Sequence, residues 1–219
     1  MTTGILWDLD GTLLDTLEDL QAATNYALAQ YGCPARSLEE VRQFVGNGAA
    51  RLFRLALPGR DKDPAWQDVL AAFRVYYDAH CQIKTKPYPG VLQALTELRR
   101  AFPMAIVSNK PDSAVKSLCR AYFGDLFACG ESPARPRKPA PDMLLYAMEQ
   151  IGADRCIYVG DSEVDIATAA NAGVPCLSVL WGFRDRDTLL RAGARHLCQS
   201  PGDLPTAISQ LTEESSYGK

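Results

Sequence analysis

Two aspartates at the end of one apolar run pose the chemical question. In Ile5-Leu6-Trp7-Asp8-Leu9-Asp10-Gly11-Thr12, four of the first five residues are apolar, which predicts a short, fully buried strand running straight into two carboxylates, a glycine and a threonine. Asp8 and Asp10 alternate with Leu9, so an extended backbone sends both side chains to one face, and Gly11 permits the turn that stops the strand. Such a pair suits an oxygen-ligated divalent cation. It also suits a division of labour in which one carboxylate attacks and the other moves a proton. The plainer alternative is an N-terminal strand ending in an Asp-rich turn, since Asp and Gly are ordinary turn residues.

Further polar groups follow other apolar runs. Met104-Ala105-Ile106-Val107 leads into Ser108-Asn109-Lys110, and Cys156-Ile157-Tyr158-Val159 leads into Gly160-Asp161-Ser162-Glu163-Val164-Asp165. A Ser hydroxyl, the adjacent Asn amide and backbone N–H groups at a helix start suit phosphate oxygens, although Ser108 alone also reads as a helix cap. Asp161 and Asp165, four residues apart, share one face of a helical first turn, where acids also serve the helix dipole. Meeting Asp8 and Asp10, they would repel severely without a cation between them. Four converging carboxylates therefore imply a hard divalent ion, and Mg2+ is the choice we expect. Lys138, in Arg137-Lys138-Pro139-Ala140-Pro141-Asp142, is held by flanking prolines in a loop between core elements, a suitable cation beside a phosphorylated nucleophile. A lone Lys is ordinarily solvated surface, and Lys110 is the competing candidate.

The elements that must position these groups fall into two kinds. From about Thr16 the pattern is helical for some seventy residues, with no strand signal between Asp15 and Lys86. Thr16 with Asp19 imitates a capping box before a helix that stops at Gly32; Ser37 caps a second; Gly46-Asn47-Gly48 precedes a third; Pro64 opens a fourth that runs to about Ile83. From Pro87 onward helices alternate with strands of four to six apolar residues, as a parallel sheet with right-handed crossovers requires. The expected fold is α/β: a Rossmann-like parallel sheet core of residues 1–14 and 86–219, with an inserted all-α helical cap of residues 15–85 over the carboxyl ends of the strands, the edge where open α/β sheets bind ligands.

Composition narrows the partners. The 219 residues are 47% hydrophobic and 22% charged, with net charge -3, the balance of a globular protein with no basic surface for nucleic acid or an anionic membrane. Any anionic ligand must be held locally. Seven scattered cysteines without a C-x-x-C pair read as reduced thiols, and no segment reads as a signal peptide or membrane span, so we expect a cytoplasmic protein, monomer or homodimer.

Asp8-Leu9-Asp10-Gly11-Thr12, Ser108-Asn109, Lys138-Pro139 and Gly160-Asp161-Ser162-Glu163-Val164-Asp165 resemble the four ordered motifs of the haloacid dehalogenase-like phosphohydrolases. The helical insertion is similar to the cap of the subgroup containing phosphoglycolate phosphatases and β-phosphoglucomutases, and Val45-Gly46-Asn47-Gly48-Ala49 with Leu52 resembles the cap loop of the former. The resemblance implies that Asp8 is the nucleophile forming an aspartyl phosphate, and that Asp10 is general acid and then base. It implies that Ser108, Asn109 and Lys138 bind phosphate. Mg2+ would be held by Asp8, the backbone carbonyl of Asp10 and Asp161, with Asp165 adjacent, reaching it through water or orienting Lys138. Asn47 and Arg51 are the candidate cap contacts to the rest of a small phosphorylated metabolite, Arg51 to a carboxylate. The leading activity is a Mg2+-dependent phosphatase acting on 2-phosphoglycolate. A phosphomutase, nucleotidase or pyrophosphatase would use the same catalytic residues. A receiver-type phosphoacceptor module is opposed by the helical insertion and by Asp10, and a silent binding protein by the intact set of motif residues.

Overall fold

A computed structural model of the chain describes residues 1–60 and 62–217; the last two residues of the expected core range lie outside them. Two compact units emerge, Met1–Leu14 with Pro87–Lys219, and Asp15–Lys86. The first opens with β1 (Thr3–Trp7), whose Ile5, Leu6 and Trp7 are fully buried. β2 (Leu14–Asp15) follows at the crossing.

The second unit is helical: α1 (Leu17–Gln30), α2 (Leu38–Phe44), α3 (Gly48–Ala56) and α4 (Trp66–His80). The Ser37 box is real, since Ser37 Oγ accepts from the Glu40 N–H at 3.2 Å and the Glu40 carboxylate accepts from the Ser37 N–H at 2.8 Å. The box expected at Thr16 is not made. Asp19 reaches instead across the unit and accepts the backbone N–H groups of Ile83, Lys84 and Thr85 at 2.9 to 3.1 Å, so the carboxylate holds the returning segment before β3 rather than its own helix end. The core is apolar and aromatic: Phe73 lies edge-on to Phe53 and stacks on Tyr77, all three buried. Arg36 closes the far side, donating from Nε to the Ala56 carbonyl at 3.1 Å.

β3 (Lys86–Pro87), which pairs with β2, ends the excursion. The α/β unit then runs α5 (Val91–Leu98), β4 (Met104–Pro111), α6 (Asp112–Phe123), β5 (Phe127–Glu131), α7 (Asp142–Gln150), β6 (Arg155–Gly160), α8 (Glu163–Ala172), β7 (Cys176–Val179), α9 (Arg186–Arg191), β8 (His196–Cys198) and α10 (Leu204–Tyr217). Six strands pair in parallel in the order β5-β4-β1-β6-β7-β8, the sheet the alternating pattern demands. Leu6, Ala105, Val107 and Tyr158 pack on Met143, Leu144 and Ala147 of α7. Truncating a residue so enclosed, Leu6→Ala for instance, costs about 2–5 kcal/mol. All seven cysteines are free thiols, and among the described residues no helix is long and apolar enough to cross a membrane.

Candidate active site

Strand order explains why distant motifs meet. β1 lies between β4 and β6, and Trp7 stands in register with Ile106 on one side and Val159 on the other. The residues following these three positions therefore emerge side by side, one strand spacing apart. Asp8 is anchored at once, its N–H donating to the Val159 carbonyl at 2.8 Å. Gly11 then turns the chain with φ +84°, and a Cβ there would collide with the Asp161 carboxylate. Gly182 is equally crowded, by Asp161 and by the Gly11 carbonyl. Two glycines thus let the backbone close around one buried acid.

Lys138 is the hub of the site. Its Nζ donates to Asp8 Oδ1 at 2.7 Å, to Asp165 Oδ1 at 2.8 Å and to the Tyr158 hydroxyl at 2.8 Å, which uses all three ammonium protons. The loop carrying it is braced by Asn109, whose amide donates to the Lys138 carbonyl at 3.0 Å and accepts from the Lys138 N–H at 2.8 Å. Asn109's side chain is therefore engaged with the lysine's backbone. Asp165 is engaged likewise. Besides Lys138 it accepts the Tyr158 hydroxyl at 2.8 Å, the Ser162 hydroxyl at 2.6 Å and the Ser162 N–H at 3.1 Å.

Burial sets the electrostatics. It pushes the Asp8 carboxyl well above the usual range, opposed by Lys138 and reinforced by Asp165 and Asp161. Asp161 rises to about 7, through burial and then the Asp165 charge, against the pull of the Phe183 N–H and Arg184. Burial also works on Asp165, but Lys138 and the hydrogen bonds from Ser162 and Tyr158 hold it below the usual value. Burial would lower Lys138; Asp165 and Asp8 outweigh it and hold the ammonium above its ordinary range. The result is one fixed Lys–Asp pair beside two buried carboxylates that resist ionising. A divalent cation is the group that would let both ionise. Asp8, Asp161 and Asp165 each offer an oxygen, all within 4.8 Å of one another. With Asp165 taken up by hydrogen bonds, Asp8 and Asp161 are the carboxylates of this cluster better placed to face a cation. Asp161 is held for that by the Phe183 N–H on Oδ2 at 2.7 Å and, more loosely, the Thr12 hydroxyl on Oδ1 at 3.4 Å.

The fourth carboxylate departs from the expected convergence. Asp10 pairs with Lys110, Nζ to Oδ1 at 2.9 Å, so the two candidate lysines divide the two aspartates between them. β4 runs on past the expected Met104–Val107 to Pro111, so Ser108 is buried within the strand, its hydroxyl accepting the Lys110 N–H at 3.3 Å. Asn47 and Arg51 belong to the helical unit, at the N-terminus and on the exposed side of α3, with Gly46 and Gly48 in left-handed conformations around Asn47. Motif reading passed over Tyr158 and the Phe183 N–H. Tyr158 carried a signal, a hydroxyl inside an apolar strand that must find a partner. A backbone donor on a distant loop carried none.

Residues 5–179 match the profile of the haloacid dehalogenase-like hydrolases. The chain is 37% identical to Phosphoglycolate phosphatase 1 of Pseudomonas aeruginosa, over 95% of this chain and 80% of that one. It is 34% identical to the phosphoglycolate phosphatase of Rhodobacter capsulatus, over 84% and 87%. A crystal structure from Lactobacillus delbrueckii subsp. bulgaricus, provisionally described as a phosphoglycolate phosphatase, superimposes with a TM-score of 0.87 at 36% identity, covering 94% of this chain and 97% of that one. The chain belongs to the haloacid dehalogenase-like hydrolase family.

Proposed function

We propose that this haloacid dehalogenase-like phosphatase hydrolyses a small phosphate monoester, 2-phosphoglycolate first among candidates, with Asp8 as nucleophile. The observation that carries the reading is Lys138 Nζ at 2.7 Å from Asp8 Oδ1, a buried cation fixed beside a carboxylate at a strand end. Phosphoryl transfer asks for placement and charge neutralisation more than for covalent machinery, and that is what these residues supply. Asp8 attacks phosphorus, the P–O bond to the alcohol breaks, and Asp10 protonates the leaving oxygen. Asp10 then takes a proton from the water that hydrolyses the aspartyl phosphate, returning Asp8 as carboxylate and releasing inorganic phosphate. Ser108 and the backbone N–H groups of residues 108–110, in the irregular end of β4, bind phosphoryl oxygens with Lys138. Mg2+, held by Asp8, Asp161 and the Asp10 carbonyl, would neutralise charge on the transferring group. Asp165 and Tyr158 orient Lys138, and Asn109 fixes its loop.

The substrate reading rests on the names of the relatives and on cationic residues suited to a carboxylate. Asn47 and Arg51 are proposed contacts to the non-phosphate part of the substrate. The test is a panel of phosphate esters assayed for phosphate release with and without Mg2+. Turnover of 2-phosphoglycolate well above sugar phosphates and nucleotides is expected, and a preference for either of those classes would overturn the substrate assignment.

A further inference from the structure

The second buried lysine has no place in the scheme above. Lys138 already gives its three protons to Asp8, Asp165 and Tyr158, so the phosphoryl side of the site has its cation. Lys110 is a separate buried cation, 7% exposed, whose Nζ lies 2.9 Å from Asp10 Oδ1. It is aimed there by an irregularity: β4 loses register with β5 between Val107 and Pro111, and such a bulge redirects the side chains within it. The bulge is pinned from behind, because Gly130 lies so close to the Lys110 carbonyl that a Cβ would strike it, and the Gly130 N–H is tied to Asp112 at 2.9 Å.

We propose that Lys110 is a specificity-determining residue that binds an anionic group on the leaving alcohol, a carboxylate within two bonds of the ester oxygen. The inference rests on the reading of Asp10 as the acid that meets the leaving oxygen. Given that role, Asp10 stands between Nζ and the ester oxygen, so Lys110 lies on the leaving-group side of the site and Lys138 on the phosphoryl side. With Nζ 2.9 Å from the acid that would meet the ester oxygen, a carboxylate two bonds from that oxygen is the group Nζ would pair with; a hydroxyl in the same place offers no charge to pair. The lysine suits this exchange of partners, since its ammonium is a compact charge on a flexible stem that can shift between neighbouring carboxylates without a backbone movement. A short, carboxylate-bearing phosphate ester is the class of substrate defined by this arrangement.

The experiment compares kcat/KM for 2-phosphoglycolate with that for 2-hydroxyethyl phosphate, in which a hydroxymethyl group replaces the carboxylate, in wild type, Lys110→Met and Lys110→Arg. Loss of the Asp10 partner will slow Lys110→Met on both esters, so the ratio is the readout. The wild type should favour the carboxylate ester by about 10- to 100-fold, the scale of a hydrogen bond to a charged group. Lys110→Met should bring the ratio close to one, and Lys110→Arg should keep most of it. Equal losses on both esters in Lys110→Met would reduce the lysine to a partner of Asp10 and overturn the proposal. If Lys110→Met fails to fold, Lys110→Gln takes its place, and parity between the two esters in the wild type overturns the proposal without any variant. A wild type that turns over no phosphate ester is a different result, which removes the phosphatase reading and this inference with it.

Discussion

The two units of this chain bury charge in opposite ways. In the α/β unit Asp8, Lys110, Lys138, Asp161 and Asp165 are all buried near the ends of strands, in the loops beside them or in the first turn of α8, acids against lysines. In the helical unit Asp19 is the one buried charged residue among those described, and its partners are three backbone N–H groups. Its other charges lie at the surface, such as the Arg36–Glu40 pair. A buried carboxylate costs several kcal/mol unless paired. The helical unit spends that cost once, on holding its own chain. The α/β unit does so repeatedly and leaves Asp8 and Asp161 only partly compensated, both raised in pKa by burial. Incomplete compensation at a converged site is the physical mark of a place meant to receive something else.

Substitutions can break this contrast. Asp8→Asn should abolish turnover, a loss of about 10⁴-fold or more in kcat as for other covalent nucleophiles, with an unchanged far-UV spectrum. Turnover that survived would refute Asp8 as nucleophile. Asp165→Ala should be the most destabilising change at the site, by about 3–5 kcal/mol in urea unfolding, because it removes one of the two carboxylates paired with buried Lys138 and the acceptor of the Tyr158 and Ser162 hydroxyls. Asp19→Ala should cost about 1–3 kcal/mol by leaving backbone N–H groups unpaired, yet leave the chemistry alone on a simple aryl phosphate. If Asp19→Ala cost as much kcat as Asp165→Ala, the division between a structural and a chemical buried acid would be wrong.

Proton linkage sharpens the same comparison. Folded Asp161 keeps its proton up to about 7, while an unfolded chain releases it near the ordinary Asp value of about 3.9. Between those pH values the folded metal-free protein holds more protons than the unfolded one, so its stability falls as pH rises, and Asp8 acts in the same direction. Divalent ions compete with those protons. Mg2+ should therefore raise the melting temperature by several degrees at pH 8 and by little at pH 5, and Asp161→Asn should remove most of the difference. An equal rise at both pH values would argue against binding at these carboxylates. The smallest effect is expected at Ser37→Ala, about 1 kcal/mol from the lost cap, with kcat and KM unchanged.

Sequence alone carried the alternation of apolar strands with helices, the helical interruption after the first strand, the reduced state of the cysteines and the motif residues at strand ends. These depend on local periodicity, turn chemistry and composition, which are written residue by residue. It pointed to Asp8, Asp161 and, ahead of Lys110, Lys138, without assigning either lysine its carboxylate partner, and it took Asp19 for a helix cap. Tertiary structure decided those matters. Strand order places β1 between β4 and β6, which brings residues 8, 108 and 161 to one edge. Hydrogen bonds spanning the fold give Lys138 to Asp8, Lys110 to Asp10 and Asp165 to Lys138, and assign Asn109 to a backbone 29 residues away. Which partner a buried charge takes is settled by which group lies within about 3 Å once the sheet has formed, and no local pattern encodes that distance.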